Sequence, residues 1–115
     1  MKKLIILFSL CFLLSGCGSN NLSLSKFDIN QIISEGDYII VDVRTKEEYD
    51  EYHLKEAINI SYDLLNEDIK LDKSKTILVY CRSGNRSKIA FNNLKRLGYQ
   101  VYDLGAIDDI DLPKE

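Results

Sequence analysis

Thr76-Ile77-Leu78-Val79-Tyr80-Cys81-Arg82-Ser83-Gly84-Asn85-Arg86-Ser87 is a β-type run that ends on a cysteine and continues into a polar loop. A helical pattern begins near Asn85, so the segment predicts a strand-to-helix turn in an α/β domain, with Cys81 at the turn. Such turns cradle anions. Successive backbone N–H groups in the loop and in the first helical turn point inward, Gly84 permits a close backbone approach, and Arg82 and Arg86 add positive charge. The same field favours a thiolate. A nucleophile and a binding site for an anionic substrate therefore share one stretch. A lone cysteine at a strand end is usually a core residue. Here the residues after Cys81 are polar or glycine, a poor setting for burial, which favours the reactive reading.

Far upstream, Lys2 and Lys3 precede an apolar run from Leu4 to Leu14, and small residues follow at Ser15 and Gly16. This is the pattern of a secretory signal, and it is too short for the roughly 20 residues that span a bilayer as a helix. Leu14-Ser15-Gly16-Cys17 resembles the lipobox of bacterial lipoproteins; the alternatives are an ordinary secretory signal and an uncleaved anchor. The resemblance implies cleavage before Cys17 and lipid on that cysteine. It divides the chain into a signal peptide at 1–16, a lipidated N-terminus and tether at 17–25, and a folded domain at 26–115. The expected location is the cell envelope, with the domain held outside the cytoplasm at a membrane surface. Gly18 rather than Asp follows Cys17, so the familiar inner-membrane retention signal is missing.

Loss of Lys2 and Lys3 with the signal takes the net charge from −3 to −5, a balance that argues against nucleic acid as a partner. The 99 residues from Cys17 onward suffice for one domain with a modest core. Cys11 leaves with the signal and Cys17 becomes a thioether, so Cys81 is the sole thiol of the mature chain and no internal disulfide is expected. A solitary thiol in an exported domain points to chemistry or to an intermolecular partner.

Asp28 with Gln31 predicts a capping box opening a short helix, with Ile29, Ile32 and Ile33 as its apolar face and Gly36 as its stop. Tyr38 to Val43 is a nearly continuous β-branched run, the signature of a strand buried on both faces. Asp42 and Arg44 come at its carboxyl end, and Thr45 with Glu48 predicts a second capping box for a helix through about Tyr52. Ala57 to Ile60 reads as a short strand, Ser61 as the start of a helical turn, and Leu71 as the inward anchor of a charged surface connection. The helix after the cysteine loop is expected to run from about Asn85 to Leu97, with Ile89, Ala90, Leu94 and Leu97 inward. Gln100 to Leu104 is a last strand ended by Gly105, and Ile107 to Glu115 a short terminal element or frayed tail. Strands alternating with helices predict a small parallel sheet flanked by helices on both faces, with ligands outside the carboxyl ends of the strands.

Four ordered stretches of this domain resemble a single-domain rhodanese, a sulfurtransferase. They are Ile40 to Arg44 with Glu48 and Tyr49; His53-Leu54 followed by Ala57 to Ile60; Val79 to Ser87; and Leu97-Gly98-Tyr99 leading to Tyr102 to Gly105. Together they cover about residues 29–108. The chain departs from the family pattern at Tyr52 and Glu56, where members usually carry glycine, and at Ala106 and Ile107, where many have glycine and tryptophan.

The resemblance implies a rhodanese-like fold and chemistry in two half-reactions that need no cofactor. Cys81 would attack the outer sulfur of thiosulfate or a similar small anionic donor, release sulfite, and pass the sulfur of the resulting persulfide to a thiol or cyanide. Arg82, Ser83, Gly84, Asn85, Arg86 and Ser87 would bind the substrate and stabilise the anionic persulfide through loop N–H groups. Arg82 is the better candidate for a sulfonate because it sits mid-loop; Arg86 holds oxyanion or braces the loop; Ser87 donates to substrate or starts the helix. Asp42 and Arg44 are structural supports. His53 is read as a packing residue, and no metal site is expected. Two other readings remain: a membrane-tethered binding or sulfur-carrier module without thiosulfate turnover, and a cysteine-loop phosphatase or arsenate reductase. The latter places its arginine six positions after the cysteine, whereas Arg86 is five after Cys81.

Overall fold

The structure, a computed structural model, describes residues 26–115; the expected signal peptide, tether and lipid site at Cys17 lie outside the described residues. Two strands dominate the core because their sequences leave no polar face. In β1 (Tyr38–Asp42) and β3 (Thr76–Cys81), Ile40, Val41, Ile77, Leu78, Val79, Tyr80 and Cys81 are all buried. Full burial of each large apolar side chain contributes roughly 1.5–3 kcal/mol before the cost of ordering the chain. With β2 (Ile58–Asn59) and β4 (Gln100–Ala106) they form an all-parallel sheet in the order β2-β1-β3-β4.

Alternation along the central strands sends odd and even residues to opposite layers. Val41, Ile77, Val79 and Cys81 pack against Ala90, Phe91 and Leu94 of α3 (Asn85–Arg96). On the other face Ile40, Leu78 and Tyr80 meet Ile32 and Ile33 of α1 (Lys26–Glu35), Tyr49 of α2 (Lys46–Glu51), and Ile107 and Ile110 near the C-terminus. The expected three-layer α/β arrangement is thus present.

Several local expectations change. The chain is already helical at Lys26, so Asp28 lies inside the first turn of α1 and is not its N-cap. The box at Thr45 is as expected: Thr45 Oγ1 accepts from the Glu48 N–H, and the Glu48 carboxylate accepts from the Thr45 N–H at 3.0 Å. On α3 Phe91 is buried and Ile89 is 46% exposed, because the inward stripe follows Ser87, Ala90, Phe91 and Leu94. In the charged connection at 67–75 Leu71 does face inward, joined by Ile69, both partly buried against the core, while the fully buried Leu65 sits just before it.

Strand β4 does not end at Leu104. The register shifts, Val79 pairing with Asp103 and Tyr80 with Gly105, so that Leu104 is an extra residue and pairing runs on to Ala106. Nor is the C-terminus frayed. Leu54 and Lys114 form an antiparallel bridge, and His53 and Glu115 exchange backbone hydrogen bonds of 3.1 and 2.8 Å.

Glu56, one of the positions that depart from the family's glycines, has φ +75°. The backbone there is left-handed although the side chain is not glycine, at a conformational cost on the order of 1–2 kcal/mol. Its carboxylate accepts from the Tyr38 hydroxyl at 2.8 Å.

Candidate active site

Cys81 is the last residue of β3 and its side chain faces the α3 layer. It is a free cysteine, and it is completely buried, contrary to the expectation drawn from its polar neighbours. The reason is directional: the strand continues through Cys81 itself, so its side chain turns inward while Arg82 and Ser83 turn out to solvent. Its Sγ is not an inert core atom. It accepts hydrogen bonds from the Gly84 N–H at 2.9 Å and the Ser87 N–H at 3.3 Å. A sulfur that accepts two backbone donors is held in a cradle that suits an anion.

The loop owes its curl to Gly84, which adopts φ +98° at the N-cap of α3. The space for a Cβ there is open, so the need for glycine is conformational and not one of close approach. Ser87 is buried, and its hydroxyl donates to the Gly84 carbonyl at 3.2 Å, which ties the helix start to the loop. Ser83 and Asn85 are exposed at the rim.

Both loop arginines are engaged by one carboxylate. Arg86 donates from Nη1 and Nη2 to the two oxygens of Glu48, at 2.8 and 3.1 Å, and Arg82 donates from Nε to the same group at 2.9 Å. Arg82 Nη2 lies 3.5 Å from Glu51. Arg82 is the more exposed of the two, 42% against 27% for its neighbour. The hydrogen bond from Arg86 holds the Glu48 carboxyl well below the usual carboxylate range; burial opposes it, and the Thr45 N–H and Arg82 reinforce it. Reciprocally, Glu48 raises both arginines.

Glu48, marked in the sequence by the capping box with Thr45 and by the stretch that resembles a rhodanese, thus also holds both loop arginines. A signal was present: an acidic side chain at the start of α2, on the strand-end side of the sheet where two uncompensated arginines collect.

Beneath the loop, on the opposite face of the sheet, lies a second arginine cluster. Asp42 and Arg44 are both completely buried. The carboxylate of Asp42 accepts from the Arg44 N–H at 2.9 Å, from Nε at 2.9 and 3.1 Å and from Nη2 at 2.7 Å, and from the Tyr80 hydroxyl at 2.7 Å. Burial alone would pull Arg44 down, but Asp42 outweighs it and the guanidinium is raised. Burial first, then the bond to Asp42, raises Tyr80, which stays a neutral donor and also accepts the Leu54 N–H at 3.0 Å. Arg44 reaches on to the Tyr52 carbonyl at 2.6 Å, between the rings of Tyr52 and Tyr80. The pair forms a clamp joining the ends of β1 and β3 to the segment after α2.

His53 stacks on Tyr49 at 3.8 Å, donates from Nδ1 to the Tyr49 carbonyl at 2.9 Å, and points Nε2 at Glu115. It is a packing residue away from Cys81. Among the described residues no group of three or more His, Cys, Asp or Glu side chains is placed to hold a metal ion.

The family model for the rhodanese-like domain matches residues 27–108. Thiosulfate sulfurtransferase PspE of Escherichia coli is 38% identical over 78 residues, which are 64% of this chain and 75% of that protein. The adenylyltransferase and sulfurtransferase uba4 of Ogataea parapolymorpha is 34% identical over 90 residues; these are 73% of this chain but only 23% of that longer protein. A solved rhodanese from E. coli, with anions in its structure, superposes with a TM-score of 0.63 at 36% identity, covering 68% of this chain and 96% of the other. With the cysteine loop on a four-stranded parallel sheet and a family match across nearly all of the described residues, the chain belongs to the rhodanese-like domain family.

Proposed function

We propose that the protein is a sulfurtransferase that carries sulfane sulfur on Cys81. The observation that supports this most directly is the pair of backbone N–H groups, from Gly84 and Ser87, that meet the sulfur. In the first half-reaction the Cys81 thiolate attacks the outer sulfur of a donor. With thiosulfate the S–S bond breaks, sulfite leaves with the electron pair, and a Cys81 persulfide anion remains. In the second, a thiol or cyanide attacks the terminal sulfur, and Cys81 leaves as a thiolate. No electrons are gained or lost overall. Preorganised N–H donors lower the cost of the anionic sulfur in each step, and Arg82 and Arg86 supply the cationic groups nearest the loop. Relatives named thiosulfate sulfurtransferase support the reading.

The test is the intact mass of the purified protein after thiosulfate and again after cyanide. A gain of one sulfur atom that cyanide removes is expected, and Cys81→Ser should abolish it while leaving the circular dichroism spectrum unchanged. Residual transfer by that variant would remove Cys81 from the mechanism. A second reading, a binding or sulfur-carrier module without thiosulfate turnover, is favoured by the complete burial of Cys81 and by the engagement of both arginines with Glu48. Persulfide formation without turnover would select it.

We also propose, from the sequence alone, that Cys17 carries lipid and tethers the domain to a membrane outside the cytoplasm. Cys17→Ala should release the protein from the membrane fraction; retention there would exclude the lipid anchor.

A further inference from the structure

On the layer of the sheet away from Cys81, a cavity of about 130 Å³ lies between α1, the start of β1, the turn before β2 and the C-terminal segment. Its floor is apolar: Ile40 is buried, and Ile33, Leu112 and the Tyr38 ring are partly buried around it. The wall is held in place. The Lys55 N–H donates to the Pro113 carbonyl at 2.8 Å, Leu54 and Lys114 form their bridge alongside, and Lys114 Nζ donates to the Ile110 carbonyl at 3.0 Å. An apolar cavity of about 150 Å³ accepts a benzene ring, so this one suits a molecule of roughly six to eight heavy atoms.

The mouth is polar and mixed in charge. Lys55, Glu56 and Pro113 line it and are exposed. Glu56, with φ +75°, takes the Tyr38 hydroxyl on Oε1 at 2.8 Å, and the lone pairs of Oε2 remain for another donor. A carboxylate ligand is attracted by Lys55 and repelled by Glu56, and an amine meets the reverse. A hydroxyl group serves both, donating to the carboxylate and accepting from the ammonium.

We propose that this cavity is a binding site for a small uncharged molecule that joins an apolar, ring-sized body to one hydroxyl group, the chemistry of a simple phenol. The ring fills the space beside Ile33, Ile40 and Leu112, and the hydroxyl meets Glu56 and Lys55 at the mouth. The backbone of Glu56 fits such a role, because a strained residue persists where its side chain has a task that the surroundings enforce. The site is separate from the cysteine loop and stands whether or not Cys81 carries sulfur.

Phenol is the probe, titrated into the ¹⁵N-labelled protein and followed by amide chemical shifts. Saturable shifts clustered at Ile33, Tyr38, Ile40, Glu56 and Leu112 are expected, with a midpoint on the order of 1 mM for a ligand of about seven heavy atoms. Benzoate and benzylamine, of similar size, should bind at least about fivefold more weakly. Glu56→Gly removes the acceptor and suits the positive φ, so the fold should hold while the phenol midpoint rises about tenfold. Ile33→Phe fills the cavity from α1 and should abolish saturation; if that variant does not fold, Glu56→Gly and the three probes decide. Shifts that grow linearly past about 10 mM phenol, or that centre on 81–87, overturn the proposal. So does a midpoint unmoved by Glu56→Gly, or equal binding of the three probes. Shifts at the same residues that follow protein concentration without phenol assign the cavity to a second copy of the chain and overturn it as well.

Discussion

Arg44 and Arg86 each pair with a carboxylate at the carboxyl end of the same sheet, in opposite settings. Arg44 and Asp42 are sealed from solvent and share Tyr80 and the Tyr52 carbonyl as further partners. Arg86 and Glu48 lie at the rim with side chains 27% and 20% exposed, and Arg82 shares the same acceptor. The inner cluster has no alternative partner, because nothing charged can enter; the outer one is open to exchange with a ligand or with water. Rigidity and responsiveness are thus divided between a sealed cluster and a partly exposed rim, with Cys81 next to the rim.

The largest effect should come from breaking the inner pair. Asp42→Ala leaves Arg44 buried without a counter-charge and Tyr80 without its acceptor, and the loss should reach about 3–5 kcal/mol. Urea unfolding measures it; a shift worth less than about 1 kcal/mol would mean that water readily reaches Arg44 and that the clusters are alike.

A smaller effect belongs to Glu48, and its pH dependence gives the sign. The arginines hold the folded-state carboxyl below its unfolded value, so the stabilisation is fully present above the unfolded value, about 4.3, and is lost as pH falls through the depressed folded value. Wild type should therefore exceed Glu48→Gln by about 1 kcal/mol at pH 7. The gap should narrow below about pH 4, where the unfolded chain takes up the proton first. A gap independent of pH would show that the ion pairs contribute through shape alone.

The smallest effect should be that of Arg82→Ala. With Arg82 itself exposed and Arg86 still on Glu48, its melting temperature should be indistinguishable from that of wild type. A measurable loss in thermal unfolding would make the outer cluster as structural as the inner one.

The parts of this molecule legible in its sequence are those set by local pattern. The β-branched runs at 38–43 and 76–80, the Thr45–Glu48 box and the glycine-bearing loop after Cys81 each carry their own cause within a few residues. What escaped depends on partners distant in the chain. Cys81 was expected at the surface from its neighbours, yet strand direction buries it. Glu48 meets Arg86 only because the β1 and β3 ends are adjacent, and the tail is ordered by a bridge to Leu54 some sixty residues earlier. Asp28 and Ile89 were misread for a different reason: a helix that starts earlier and an apolar stripe rotated by one residue fit the same letters. Glu56 shows the converse, a left-handed backbone at a position whose letter does not announce it.

The burial of Cys81 bears on how long the thiol lasts. A sulfur with no exposed surface meets peroxide or a foreign disulfide only during the fraction of time that its loop is open. Its lifetime in the reduced form is then set by a conformational equilibrium and not by the inherent appetite of the thiolate for oxidants. Under the proposed sulfur transfer the same opening would admit the donor, so a change that loosens the loop to speed loading would shorten the life of the free thiol in proportion.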